Sequence, residues 1–196
     1  MTQPRLQSQL TFAAEIDRLK TVIRQTLLVD GSRLENTAEH SWHLAVMAVI
    51  LAEHGPPGLD VVRVIRMTLV HDIVEVDAGD TYCYDSAANV GRADRERAAA
   101  DRLFGLLPPD QSAELRGLWE EFEARLTPEA RFAAALDRLQ PLVNNYLTEG
   151  RSWRQHGVTR PQVIERCRPI AEGSPALWEY AEWLINDAVA RGYLAP

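Results

Sequence analysis

Long apolar segments are missing from this sequence: no run reaches the roughly 18 residues that a membrane-spanning helix needs. The N-terminal segment, Met1 to Leu10, is polar and lacks the basic, apolar and small-residue order of a secretory signal. Because both features are missing, we expect a cytoplasmic protein that does not enter a membrane.

Cysteine is scarce, since only Cys83 and Cys167 occur, far apart and outside any CxxC pair. This spacing excludes a disulfide framework and a thiolate metal site. It predicts two free thiols in a reducing compartment.

Basic residues are outnumbered by acidic ones, 21 against 28, which gives a net charge of −7. That balance disfavours long nucleic acid as a partner, because binding it depends on many lysine and arginine contacts with phosphate. It is compatible with a small anionic substrate, because a few local arginines can form a positive pocket on an acidic protein.

A helical hydrophobic period is present along almost the whole chain, and no stretch alternates as a strand does. The 196 residues, 46% of them apolar, fit one domain, and we predict an all-α bundle over residues 1–196. A polar segment, Asp77 to Ala88, interrupts the period and is a candidate active-site loop. The predicted helices are Leu10 to Leu28, Thr37 to Glu53, Asp60 to Val76, Asn89 to Leu107, Ser112 to Arg125, Pro128 to Leu147, Arg160 to Ile170 and Pro175 to Ala190.

Three places in the chain carry side chains that could bind a metal ion. His71-Asp72 follows an apolar helical run, and a buried carboxylate such as Asp72 needs a strong partner, for example a metal. His40 and His43 can share one helical face, so spacing alone does not choose between them. Asp137 ends a run of small apolar residues. On separate helices, these groups can converge inside a bundle.

The order His40, His71-Asp72, Asp137 resembles that of the HD-domain superfamily of metal-dependent phosphohydrolases. More narrowly, RLENTAEHSWHLAVMA followed by HDIVEVDAGD is similar to the bacterial 5′-deoxynucleotidases and the related HD-domain-containing proteins of eukaryotes. The resemblance covers about residues 15–148. It implies an HD-domain helical bundle, with additional C-terminal helices over about residues 149–196.

The resemblance implies a ligand set for a divalent metal ion: His40, His71, Asp72 and Asp137. In that family the first ligand histidine follows an acidic residue in an EH-S context, which selects His40 over His43. Mn, Co, Fe, Zn and Mg are the candidate ions, because two imidazoles and two carboxylates do not specify one metal.

The resemblance also implies that Glu75 and Asp80 are catalytic. On a helix, Glu75 projects toward the same region as His71 and Asp72, where a carboxylate can accept a proton from a metal-bound water. Asp80 matches the family's second functional acid, which could bind the water or steady the leaving group. The alternatives are an ordinary helix-surface glutamate for Glu75 and a turn-forming aspartate for Asp80.

Binding a phosphate requires positive charge that the four ligands do not supply. Arg33, in the loop before the His40 helix, is the first candidate and Arg24 the second, because a guanidinium can hold phosphate oxygens bidentately. The family's nucleotidases place a tryptophan just upstream of this loop to judge the sugar, and the stretch from Gln25 to Leu28 has none. This departure concerns the preference for deoxyribose and not the metal site.

The C-terminal part is aromatic, with three of the five tryptophans beyond Tyr146. Trp178, Tyr180, Trp183 and Leu184 predict the apolar side of a helix that packs on the bundle or on another subunit. The family's habit implies a homodimer.

Three hypotheses for function follow. The first is a 5′-nucleotidase that releases phosphate from (deoxy)nucleoside 5′-monophosphates. The second is a phosphohydrolase or pyrophosphohydrolase of another phosphorylated metabolite or signalling nucleotide. The third is a noncatalytic sensor that binds nucleotide in the same pocket. The presence of Glu75 and Asp80 argues against the sensor, because a binding module needs no proton-handling carboxylates.

Overall fold

The computed structural model describes residues 3–85 and 87–196 and confirms the predicted all-α fold. Among these residues, no helix combines the length and the apolar character that crossing a membrane requires. The helices, in chain order, are α1 Pro4–Ile16, α2 Thr37–Leu51, α3 Val61–Val70, α4 Glu75–Ala78, α5 Arg92–Phe104, α6 Pro109–Ala124, α7 Pro128–Leu147, α8 Arg151–His156, α9 Arg160–Cys167, α10 Pro169–Gly173 and α11 Pro175–Ala190.

Helix α7 is the centre of the bundle and packs against α2, α3, α6, α9, α10 and α11. The Thr127 side chain caps its N-terminus by accepting from the backbone N–H of Ala130 at 3.2 Å, and Pro128 occupies the first helical position. Small residues along its buried face let neighbouring helices approach closely. The buried run is Phe132, Ala133, Ala134, Ala135, Leu136 and Asp137.

The predicted helix Leu10 to Leu28 is wrong over its second half. Helix α1 ends at Ile16, a 3₁₀ turn follows, and strand β1, Ile23–Leu27, pairs antiparallel with strand β2, Leu34–Asn36. The turn between the strands contains Gly31 at a φ of 68°, a conformation that favours glycine. Strands of five and three residues are too short to show a clear alternation. This hairpin carries Arg24 and Glu35 into the bundle.

The predicted helix Asp60 to Val76 is also divided. Helix α3 ends at Val70, and residues 71–74 form a turn before α4 begins at Glu75. The candidate loop from Asp77 to Ala88 overlaps the end of α4 and is otherwise irregular; within it, Ser86 lies outside the described residues.

The predicted helices Pro128 to Leu147 and Pro175 to Ala190 agree with α7 and α11, whereas Arg160 to Ile170 spans two helices, α9 and α10. On α11, Leu184 packs into the core, while Tyr180 and Trp183 are about half exposed and stack with their ring centroids 5.6 Å apart. The aromatic face is therefore divided between the core and the surface.

Helix α10 approaches α7 through Gly173. A β-carbon at this position would collide with the backbone carbonyl of Arg131 and stand 2.8 Å from the β-carbon of Ala135. Because the obstacle is largely backbone, it cannot swing aside. The contact therefore requires glycine.

We expect Gly173→Ala to lower the free energy of unfolding by about 1 to 3 kcal/mol, the usual cost of overpacking a close contact. Gly117→Ala, in α6, is the matched control, because the added methyl meets no atom of the described residues within 4 Å. It should raise stability by roughly 0.5 to 1 kcal/mol by favouring the helix. Urea unfolding of both variants measures the difference. Equal stability of Gly173→Ala and the native chain would show that the helices do not meet this closely.

Candidate metal centre

Three parts of the chain bring two histidines and two aspartates to one buried point. His40 lies in the first turns of α2, His71 and Asp72 follow α3, and Asp137 lies within α7. These four residues, called the His–Asp cluster below, are at most 8% exposed. One nitrogen each from His40 and His71 and one oxygen from Asp72 lie within 4.8 Å of one another.

The Nε2 atoms of both histidines face the carboxylates. His40 Nε2 lies 2.9 Å from Asp137 Oδ1 and 3.9 Å from Asp72 Oδ2. His71 Nε2 lies 3.2 Å from Asp72 Oδ2 and 3.7 Å from Asp137 Oδ1. The four predicted ligands therefore surround a common centre.

The opposite nitrogens fix the orientation of both rings. His71 Nδ1 donates to the backbone carbonyl of Thr68 at 2.9 Å. His40 Nδ1 lies 3.0 Å from Gln140 Oε1, which is left to accept because Gln140 Nε2 donates to Glu35 at 2.9 Å. With Nδ1 as the donor, Nε2 of each ring faces the cluster, where it could bind a metal ion once its proton is lost, the orientation found in metal-binding histidines.

His71 Nε2 is a buried atom that has no hydrogen-bond partner among the described residues. Asp72 Oδ2 is near it, but the geometry of the pair does not make a hydrogen bond. An unpaired buried nitrogen costs free energy unless another species meets it. A metal ion between the two carboxylates fits this position.

The electrostatics of the cluster favour positive charge at its centre. Burial alone would lower the pKa of His71, but Asp72 and Asp137 outweigh it and raise the pKa to about 10. Burial opposes ionisation of Asp137, yet Arg138 and the two histidines hold its pKa well below the ordinary value. The carboxylates thus stay charged and attract a cation, whether a proton or a metal supplies the charge.

His43 lies outside the cluster. Its Nδ1 is 3.3 Å from Gln140 Nε2, so it contacts the residue that orients His40. Burial lowers its pKa, with the charge of His40 acting in the same direction. Of the two histidines that spacing left open, His40 is the one that faces both carboxylates.

Glu75 and Asp80 line one cavity with His71 and Asp72. Glu75 is 3% exposed and accepts a hydrogen bond from Thr37 Oγ1 at 2.9 Å. Burial, and then the charge of Asp72, raise the pKa of Glu75 well above its ordinary value. Burial also raises the pKa of Asp80. Carboxyl groups with raised pKa values beside a buried centre are typical of proton transfer sites.

The two predicted phosphate arginines lie in different places. Arg24 reaches the cluster, where its Nη1 donates to Asp72 Oδ2 at 3.1 Å. Arg33 is about half exposed and forms a bidentate pair with Glu39, at 2.6 and 2.9 Å. Glu39 also caps α2 by accepting from the backbone N–H of Asn36. Arg33 is thereby held at the surface, away from the cluster.

The sequence did not indicate Glu35 and Gln140, which hold residues of the cluster in place through hydrogen bonds. Glu35, 2% exposed, accepts from Arg24 Nε at 3.3 Å and from Gln140 Nε2 at 2.9 Å. One carboxylate thus positions both the arginine at Asp72 and the amide that orients His40. A correct assignment of strand β2, in which Glu35 points inward, would have indicated it.

Two cavities meet beside the cluster. The larger, called the cluster cavity, measures about 320 Å³ and is lined by His71, Asp72, Glu75 and Asp80, together with four arginines. The smaller, called the aromatic cavity, measures about 70 Å³. Its wall includes Gln25, Thr26, Tyr82, Tyr84 and Trp153. Sequence reasoning missed three of the arginines: Arg92, Arg138 and Arg166.

Comparison with known proteins finds relatives of this chain. The chain is 33% identical over 137 residues to the 5′-deoxynucleotidase HDDC2 of Xenopus laevis, a match that covers 69% of this chain and 67% of that protein. It is 32% identical to the protein of the same name from Homo sapiens, covering 69% of this chain and 66% of that protein. These matches span about two thirds of the relatives' length.

Two solved structures have the same fold. A crystal structure described as a predicted metal-dependent phosphohydrolase from Magnetospirillum magnetotacticum MS-1 matches with a TM-score of 0.96 at 57% identity, over 99% of this chain and 97% of that one. A conserved hypothetical protein from Pyrococcus furiosus matches with a TM-score of 0.63 at 17% identity, over 92% and 99% of the two chains, which shows a shared fold alone.

The HD domain family model matches residues 16–178, which is most of the chain. This match confirms the resemblance that the order of histidines and aspartates indicated. The chain belongs to the HD domain family.

Proposed function

We propose that this chain is a metal-dependent phosphohydrolase that binds a divalent ion through His40, His71, Asp72 and Asp137. The observation that carries the proposal is the unpaired, buried Nε2 of His71, which faces two carboxylates whose charge is preserved in the interior. The mixed nitrogen and oxygen donors suit Mn, Co, Fe, Zn or Mg. Bound there, the ion would lower the pKa of a water molecule and draw charge from a phosphate oxygen.

Glu75 is the proposed proton acceptor for the attacking water. Thr37 Oγ1 donates to its Oε2, which orients the carboxylate and leaves Oε1 for the water. Asp80, 3.9 Å from Arg24 Nη1, lies on the same wall and is proposed to hold the water or the leaving group.

Arg24 is the proposed phosphate ligand at the cluster. Its guanidinium is fixed by Asp72 and Glu35, and its side chain is 12% exposed. A guanidinium held in place before the substrate arrives loses little entropy when it binds phosphate oxygens.

The proposed reaction is release of orthophosphate from (deoxy)nucleoside 5′-monophosphates. It is supported by the relatives whose name is 5′-deoxynucleotidase. In this chain Gln25 and Thr26 line the aromatic cavity, and the aromatic rings there come from Tyr82, Tyr84 and Trp153. With no tryptophan at positions 25–28 to judge the sugar, we propose that ribose and deoxyribose are both accepted.

A second candidate function is hydrolysis of another phosphorylated metabolite, including release of diphosphate from a signalling nucleotide. It is favoured by the surplus of arginines in the cluster cavity, since a single phosphate does not require four guanidiniums. The product, orthophosphate or diphosphate, distinguishes the two candidate functions.

A homodimeric assembly and a cytoplasmic location remain predictions.

Removal of metal by a chelator should abolish orthophosphate release from a panel of ribo- and deoxyribonucleoside 5′-monophosphates. Adding Mn, Co, Fe, Zn or Mg back, one at a time, should restore it, because the ligand set accepts several ions. Ion chromatography separates orthophosphate from diphosphate in the same assay. A chelated protein that keeps its full rate would contradict the proposal.

His40→Ala should remove most of the bound metal, because it deletes a ligand whose orientation Gln140 fixes. His43→Ala is the matched control, since His43 contacts Gln140 and not the carboxylates. Metal content per chain, measured by mass spectrometry after dialysis, compares the variants. Full metal content in His40→Ala would overturn the ligand assignment.

Glu75→Gln should lower kcat by roughly 10²- to 10⁴-fold, the usual contribution of a general base. The amide oxygen can still accept from Thr37, so metal content should stay that of the native chain. Asp77→Asn is the control on the same short helix, because Asp77 pairs with Arg102 at the surface. A Glu75→Gln variant with native kcat would remove Glu75 from the mechanism.

A further inference from the structure

The cluster cavity holds more positive charge than a phosphate bound at the His–Asp cluster requires. Three of its four arginines have a carboxylate partner. The pairs are Arg24 with Asp72 at 3.1 Å, Arg92 with Glu96 at 2.6 Å, and Arg138 with Asp137.

The fourth arginine, Arg166, has no such partner. Among residues 3–85 and 87–196, no carboxylate oxygen lies within 4.0 Å of its guanidinium. The side chain comes from α9 and is partly buried. Burial, and then repulsion by Arg138, lower its pKa. Arg138 adds an unmet donor of its own, because its buried Nε has no hydrogen-bond partner in the part of the chain that the structure describes.

Arg166 differs in position from the paired arginines beside it. Arg24 is tied to Asp72 and Arg138 to Asp137, so both of these lie at the cluster itself. Arg166 stands farther than an ion-pair distance from the described carboxylates of the cluster. Both Arg138 and Arg166 line the cluster cavity and the aromatic cavity, so they lie where a ligand would pass from one to the other.

A pair of guanidiniums in a partly buried wall is costly unless an anion joins it. No described side chain supplies that anion to Arg166, so it has to come with the ligand. Phosphate suits the site, because its oxygens can accept from two guanidinium forks at once.

We propose that Arg166, assisted by Arg138, binds a second phosphate group of the substrate. The preferred substrates are then 5′-nucleotides that carry a further phosphate. The cluster takes the phosphate that is hydrolysed, and the arginine pair holds the other at the entrance to the aromatic cavity. The first of these two roles rests on the proposed function.

The test compares deoxyadenosine 5′-monophosphate with deoxyadenosine 3′,5′-bisphosphate and deoxyadenosine 5′-diphosphate. Isothermal titration calorimetry measures binding to the full chain after metal removal, and orthophosphate release measures kcat/KM after metal is restored. The native chain should prefer one of the doubly phosphorylated probes by about tenfold or more, the effect of a charge-assisted hydrogen bond. Which probe is preferred tells where the second phosphate is attached.

Arg166→Gln should reduce this preference to near unity. It should weaken binding and lower kcat/KM more for the doubly phosphorylated probe than for the monophosphate. Arg166→Lys should keep part of it, because it retains the charge and loses the fork. Arg168→Gln is the matched control, since Arg168 is exposed and lies only two residues away. Thermal unfolding verifies that each variant is folded.

Equal binding and equal kcat/KM for all three probes in the native chain would overturn the inference while the proposed function stands. The inference also fails if Arg166→Gln weakens the monophosphate and the doubly phosphorylated probes to the same extent. Arg166-dependent binding without hydrolysis of any probe would overturn the proposed function and leave the second phosphate site in place.

Discussion

The fold buries the charged His–Asp cluster between α2, the turn after α3 and α7, and many of the surrounding side chains stabilise that charge. Two carboxylates and two imidazoles leave water together, and each needs a fixed partner to offset the loss of hydration. The chain provides these partners from every direction: a backbone carbonyl at Thr68, the amide of Gln140, and guanidiniums at Arg24 and Arg138. The hairpin, the turn after α3 and the long helix α7 are arranged so that these groups arrive at one place.

Much of the fold could be predicted from local signals. Helix α7 begins at a threonine cap followed by proline, and its small apolar residues repeat with the helical period, so both of its ends agreed with the prediction. The hairpin could not be found in this way. Strand β1 is five residues long and its partner has three. Their pairing depends on contacts between the two strands, which the hydrophobic period of one segment does not reveal.

The candidate site was predictable where residues share a motif and unpredictable where they meet only in three dimensions. The four ligands and the two acids were implied by a family resemblance that short segments carry, and the structure places five of the six in the lining of one cavity, with His40 buried beside Asp137. The sequence favours Arg33 over Arg24 because Arg33 lies in the loop before the His40 helix. In the structure, the ion pair with the capping residue Glu39 holds Arg33 at the surface. Arg24 reaches Asp72 because it lies on strand β1, which the sequence did not indicate. Arg166 lies on a helix with no motif around it, so no local signal pointed to it.

The close contact at Gly173 also fixes where helix α9 lies relative to the His–Asp cluster. Helix α9 is followed almost immediately by α10. Helix α10 packs on α7 at Gly173, where the two backbones are too close for a side chain. Helix α7 also carries Asp137. The packing of α10 on α7 therefore sets how far Arg166, on α9, reaches into the cluster cavity. A change in how α10 packs on α7 would therefore move Arg166 relative to Asp137 without altering either residue.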